Sequence, residues 1–316
     1  MRLAAFAFAA AWLAGTAVGL ADPWSYTDGS GQTVSLDQVP TRILASQDAA
    51  AGLIPLGIRP VGIYADSPVA AAKALEGLDL NGIAIIGEAW GEADIEQAAA
   101  LAPDLILAEY WPISGDWSGG PMAAADGVLR QVAPLTGPSV GDSILTLIED
   151  YEALARSLGA DLDLPAQAAD KQAFEVALDG FKAAVAAKPG LTALAVWAGA
   201  DGLYVATPEG ASELLDFQRW GLEVITPSAV DVNGYWQTLS WETADTYQPD
   251  LILVDNRSAD TLATALAQPT WTSLRAAAAG AVADWPAFWV RNYGAYAGAL
   301  AQLTSAIAAA DPDIGD

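Results

Sequence analysis

Glu88, Glu92 and Asp94 fall within one short stretch, and carboxylates so close together could divide the roles of acid and base in a hydrolase. On a loop and a helix start the same residues also serve simply to cap and solvate, which is the plainer reading. The rest of the composition withholds help. The chain contains no His and no Cys, which removes imidazole-based triads, zinc sites of the usual His-containing types, thiol nucleophiles, disulfides and lipid attachment through a Cys. The side chains left for recognition chemistry are aromatic rings and a few guanidinium groups.

In an alternating βα lobe the functional loops follow the carboxyl ends of the strands. The loops so placed are residues 46–48, 64–67, 88–90, 110–117, 197–204, 235–236, 256–257 and 285–293, and most of them are rich in aromatics. With 12 Trp and 9 Tyr against 6 Phe, the chain favours rings that carry a polar edge, which suits an amphipathic pocket better than a dry core. Trp90, Tyr110, Trp111 and Trp117 cluster on two neighbouring loops. Trp197, Tyr204, Tyr235 and Trp236 follow in the second half, and "DWPAFWVRNY" adds Trp285, Trp289 and Tyr293. Any one of these rings could equally belong to a core. Arg257 and Arg291 follow strands and are placed on the cleft side, Arg291 being the stronger candidate, whereas Arg42 and Arg59 precede strands and should face away. Each Arg could instead pair with a surface acid.

The elements that must position these residues form two α/β lobes. The opening "MRLAAFAFAAAWLAGTAVGLA", residues 1–21, reads as a cleavable secretory signal, because no stop-transfer charge cluster follows it to make it an anchor. Residues 22–162 show a polar hairpin around "DGSG", then alternating apolar strands and helices with a mostly parallel sheet; helices are expected over 69–75, 94–101, 122–132 and 144–157. Phe174, Leu178, Phe181 and Val185 recur at spacings of four, three and four, one face of a long rigid helix within 163–188, with Asp163 as its cap and Pro165 in its first turn. The βα pattern then restarts through 189–316 and closes on a helix over 292–310. Two lobes joined by one helix imply a ligand cleft between them.

Thirteen Lys and Arg against 39 Asp and Glu give a formal charge of −26, which repels nucleic acid and anionic membranes and marks a soluble, acidic surface. Together with the signal and the absence of Cys this describes an exported protein, free in the periplasm, with no resident cofactor expected. One unit is used twice: "DIEQAAALAPDLIL" and "WETADTYQPDLIL" both place a Glu, Glu96 and Glu242, seven residues before the Pro of "PDLIL". A carboxylate in a first helical turn is stabilised by the helix dipole, which accounts for either Glu alone and less well for the matched pair.

These pieces, in their order with "IRPVGIY", the Trp90-Gly91 loop, the central helix and "WTSLRAAAAGAVADW", resemble the periplasmic substrate-binding proteins that feed ferric siderophores, haem or corrinoids to ABC importers. The resemblance covers almost the whole chain after the signal. It implies two lobes on a rigid helical backbone, slight closure, no enzymatic activity, and Glu96 and Glu242 as contacts for a two-fold permease dimer. It also implies that an Arg meets the carbonyl or hydroxamate oxygens around the iron. Scarce positive charge argues against a tris-catecholate and for a neutral or cationic ferric hydroxamate; corrinoid or haem is the alternative. Haem would more naturally take a His ligand, and direct capture of Zn or Mn is disfavoured without one.

Overall fold

A computed structural model describes residues 23–258 and 260–315, so the signal expected at 1–21 lies outside the described residues. An antiparallel hairpin, Trp24–Thr27 with Thr33–Leu36, leads into the first lobe. Its five-stranded sheet runs Ala84–Glu88, Gly62–Ala65, Ile43–Ser46, Leu105–Leu107, Leu135–Thr136 in space, every pairing parallel. Central strands such as Ile43–Ser46 and Leu105–Leu107 are buried at every position, as a parallel sheet covered on both faces requires. Chain order reverses on either side of Ile43–Ser46. The crevice of this lobe therefore opens at the ends of Ile43–Ser46 and Leu105–Leu107, the switch point where α/β sheets place ligands.

The second lobe is centred on Thr192–Ala198. Leu251–Asp255 and Val282–Trp285 lie parallel on one side, and on the other Leu203–Ala206 and Trp236–Leu239 continue the sheet antiparallel. Between the lobes runs the helix Pro165–Ala186, about 33 Å long at 1.5 Å per residue. Phe174 and Phe181 are its buried residues. Phe174 meets Tyr293 and Tyr296 of the closing helix Tyr293–Ala309 at 5.4 and 5.3 Å, and Phe181 meets Phe217 at 5.5 Å.

Three local expectations change. The helix starts from Leu164 with no side-chain cap, so Asp163 does not cap it; Pro165 in the first turn removes one of the unpaired N–H donors and presets the helical φ. Residues 122–132 form short 3₁₀ turns, Gly120–Met122 and Val128–Gln131, because Gly127 interrupts them and Arg130 donates instead to the carbonyls of Ala123, Ala124 and Leu135. Of 69–75 only Lys73–Leu75 is helical, a single 3₁₀ turn behind Pro68 and a run of Ala that offers no apolar stripe. By contrast Ile144–Ser157 is an α-helix over the expected span.

The duplicated unit keeps its strand and changes its helix. Ile95–Ala100 is an α-helix capped by Asp94, whose Oδ1 accepts from the Gln97 N–H at 2.9 Å. Trp241–Thr246 is a 3₁₀ segment kinked at Thr243, where Ser240 Oγ meets the Thr243 hydroxyl at 3.3 Å and supplies no side-chain cap. Trp241 is buried, its indole N–H donating to the Gly199 carbonyl at 3.1 Å, and that anchorage tightens the turn. Both Glu96 and Glu242 remain exposed in the first turn of their segments.

Candidate functional site

A cavity of ≈ 380 Å³ lies between the lobes. Its first wall is built at the switch point. Ser46 ends the strand Ile43–Ser46 and caps the helix Gln47–Leu53, its Oγ accepting from the Ala49 N–H at 3.1 Å, which places Gln47 and Asp48 on the cavity wall. A two-residue ladder, Tyr110–Trp111 against Asp116–Trp117, holds Trp111 and Trp117 on the same wall. Ser118 joins these pieces: the Trp111 indole N–H donates to its Oγ at 3.2 Å and that hydroxyl donates to Asp48 Oδ2 at 3.2 Å. Trp90 completes the wall, 59% exposed and lying on Gly120, where a Cβ would come within 2.6 Å of the indole; a left-handed φ of 55° adds a second reason for glycine there.

The facing wall comes from the second lobe. Tyr235 and Trp236 enter at the start of Trp236–Leu239, and Arg257 and Phe288 follow the two parallel strands. Phe288 has φ 61°, a left-handed conformation that is uncommon outside glycine, and its N–H is held by the buried carboxylate of Glu213 at 2.8 Å. That turn aims the ring at the centre of an aromatic cage, 5.8 Å from Trp111, 6.3 Å from Tyr235 and 6.2 Å from Trp236. The Arg257 guanidinium lies 4.6 Å over the Phe288 ring and forks onto Asp255, with Nη2 to Oδ2 at 2.6 Å. Its Nη1 makes no hydrogen bond among the described residues.

Of the residues expected in the site, the cavity brings together Trp90, Trp111, Trp117, Tyr235, Trp236 and Arg257. The others lie off its wall. Tyr110 packs on Trp117 at 5.3 Å. Trp197 and Tyr204 are register partners across an antiparallel pair and face each other at 4.6 Å. Trp285 is wholly buried behind Phe288, and Trp289 donates its indole N–H to Asn256 Oδ1 at 2.7 Å. Tyr293 belongs to the aromatic core of the backbone helix.

Arg291 corrects the expectation that it faces the cleft. It is 1% exposed and its Nε and Nη2 clasp Glu109, Nη2 to Oε2 at 2.8 Å, while Nη1 donates to the Val290 carbonyl at 2.9 Å. Tyr151 OH donates to Glu109 Oε1 at 2.6 Å. Burial disfavours the guanidinium's charge, but the neighbouring Glu109 and Asp48 carboxylates outweigh it and hold the group cationic. The pair joins the first lobe to the segment ahead of the closing helix. Beside it Asp216 crosses the same interface, accepting from Ser143 Oγ at 2.7 Å, the Ile144 N–H at 2.9 Å and Tyr296 OH at 3.1 Å.

Four acids, Asp48, Asp66, Asp116 and Asp231, also line the cavity, three of them on the expected strand-end loops. Asp48 is pushed up to about 7, by burial first and then by the Glu109 charge, against the pull of Arg291. Asp66 is raised to about 6 by burial, with Arg257 opposing. Asp116 and Asp231 stand exposed at the mouth. Phe288 lies within the expected loop 285–293, yet only its backbone turn reveals that it, and not Trp285, reaches the cavity. Among the described residues no group of three or more His, Cys, Asp or Glu is placed to hold a metal ion, and no helix is long and apolar enough to cross a membrane.

Known proteins share this fold. DesE, a ferric-siderophore receptor protein from Streptomyces coelicolor, is 29% identical and superimposes with a TM-score of 0.81, over 91% of this chain and 99% of its own. FhuD from Vibrio cholerae, a siderophore binding protein solved with Fe3+-Desferal, has the same fold at 20% identity and a TM-score of 0.59, covering 85% of this chain and 98% of its own. FhuD2 from Staphylococcus aureus, solved with bound ferrioxamine B, has it at 18% identity and 0.60, covering 84% and 98%. No curated protein sequence matches this one significantly. The sequence profile described as "Periplasmic binding protein" matches residues 85–287, more than half of the chain, and the protein belongs to that family.

Proposed function

We propose that this protein captures an intact ferric siderophore, of the hydroxamate type, in the periplasm and hands it as a monomer to an ABC importer. The observation that carries the reading is the wall of the interlobe cavity: three Trp from one lobe face Tyr235, Trp236 and Phe288 from the other, with the free edge of Arg257 between them. Rings of this kind stack on the organic shell of a chelate, and the guanidinium edge donates to hydroxamate oxygens. A cavity of ≈ 380 Å³ falls in the range of small-molecule sites. With no His or Cys in the chain, the iron arrives already held by its chelator. No covalent step is needed. The interlobe Arg291–Glu109 pair and the backbone helix restrict closure to a small movement.

Titration with a ferric hydroxamate should quench tryptophan fluorescence, since Trp90, Trp111, Trp117 and Trp236 line the cavity, while bare iron should not. No change with any iron complex would remove the siderophore assignment.

Delivery rests on Glu96 and Glu242, one on each lobe, both exposed. Two matched carboxylates on a monomer suit Arg partners on a two-fold permease, supplying orientation and on-rate. Replacing both by Ala should abolish uptake and leave chelate affinity unchanged. A loss of affinity instead would assign the two residues to the ligand.

A further inference from the structure

The cavity's charge balance points beyond an iron chelate in general. Asp48, Asp66, Asp116 and Asp231 all line it, and none forms an ion pair with Lys or Arg among the described residues. The cavity's one cation, Arg257, is already countered by the buried carboxylate of Asp255, two residues back on its own strand. Asp48, which lines the cavity, is more than nine-tenths buried; its Oδ2 accepts from Ser118 and its Oδ1 has no hydrogen-bond partner among the described residues. An acceptor left open beside a cavity calls for a donor from the ligand.

A ferric trihydroxamate core is electrically neutral, three hydroxamate charges balancing the iron. Such a core gains little from these carboxylates, an anionic chelate is repelled, and a chelate carrying an ammonium group is attracted. We propose that the cavity is selective for charge: it takes a ferric hydroxamate bearing a net positive charge, with Asp66, Asp116 and Asp231 attracting a protonated amine and Asp48 Oδ1 as an acceptor for it. This rests on the siderophore reading and adds to it which members of that class are bound.

The test compares two complexes that share the same iron core and differ at one chain end: ferrioxamine B, a linear trihydroxamate ending in a primary amine, and its N-acetylated neutral derivative, each titrated into the purified protein by tryptophan quenching. The cationic complex should bind about ten-fold more tightly, a ratio that shrinks as sodium chloride is raised, because screening weakens only the charged term. In the combined variant Asp66→Asn, Asp116→Asn, Asp231→Asn the ratio should fall towards one. Affinities within two-fold in the parent protein would overturn the proposal, as would a preference that survives the triple substitution. If neither complex binds, the siderophore assignment itself fails and the charge selectivity with it, a result distinguished by the absence of any quenching.

Discussion

Arg257 and Arg291 each stand just past one of two adjacent parallel strands, Leu251–Asp255 and Val282–Trp285, and each grips a carboxylate, yet they do opposite work. The Arg257 partner is two residues away, and the side chain stays 45% exposed with one edge open to the cavity. The Arg291 partner is 182 positions away in the other lobe, and both side chains are fully buried. A local pair orients a guanidinium and leaves it available to a ligand. A long-range pair uses the guanidinium up and joins two lobes with it. Position after a strand fixes the end of the sheet on which a side chain falls, and its carboxylate partner decides whether it serves recognition or architecture.

The sharpest way to break this comparison is to orphan the buried charge. Glu109→Ala leaves Arg291 without its countercharge in a site that water does not reach, a change that costs about 3–5 kcal/mol in buried pairs and should lower the thermal midpoint by about 10 °C. Replacing both residues with apolar ones, Glu109→Leu with Arg291→Met, should recover most of that loss, because no uncompensated charge then remains. A midpoint within ~2 °C of the parent for Glu109→Ala would show that the interlobe pair does not hold the lobes.

Glu213 offers a second, smaller test, since both arginines act on it. Burial raises its carboxyl from an ordinary 4.5 to about 7, against the Phe288 N–H and the Arg291 and Arg257 charges. Below about 4.5 the folded and unfolded chains are both protonated here, and stability is at its full value. From there up to about 7 the unfolded chain loses its proton first, so the folded state is progressively penalised, by on the order of 3 kcal/mol in total. The thermal midpoint should therefore be lower at pH 8 than at pH 5. Glu213→Gln, which retains an acceptor for Phe288, should flatten that slope. An unchanged slope would mean that Glu213 ionises as freely as an exposed acid.

Much of the fold was legible because its signals are local. The apolar stripe at Phe174, Leu178, Phe181 and Val185 defines the backbone helix, and runs such as "DLIL" are too uniformly apolar for anything but a covered strand. The site was legible as a set of loops and much less so as a set of side chains. Asp48 looks like a solvated loop acid until Ser118, 70 positions on, is seen to close over it. Trp285 and Phe288 sit in the same loop, and only the left-handed turn at Phe288, held by Glu213 from 75 positions away, decides which ring lines the cavity. Depth is set by long-range partners, and a single sequence does not display them. Gly127 likewise divided an expected helix into turns, held by the buried Met122 and Leu129 and by the Arg130 side chain.

Arg257→Ala separates the two roles most directly. The Arg257 pair with Asp255 is partly solvated and local, so losing it should change stability by no more than ~1 kcal/mol. The same substitution removes the cation stacked on Phe288 and the open Nη1, and a hydrogen bond from a charged donor contributes enough that affinity for a ferric hydroxamate should fall about ten-fold. Arg257→Lys should rescue charge without restoring the planar fork, and so recover only part of the affinity. Thermal melting and fluorescence titration on the same preparations decide the matter. Arg257→Ala should appear as an affinity variant of nearly normal stability, and Glu109→Ala as a stability variant. If Arg257→Ala instead melted early and bound normally, Arg257 would be a second architectural arginine, and recognition of the chelate would fall to the rings alone.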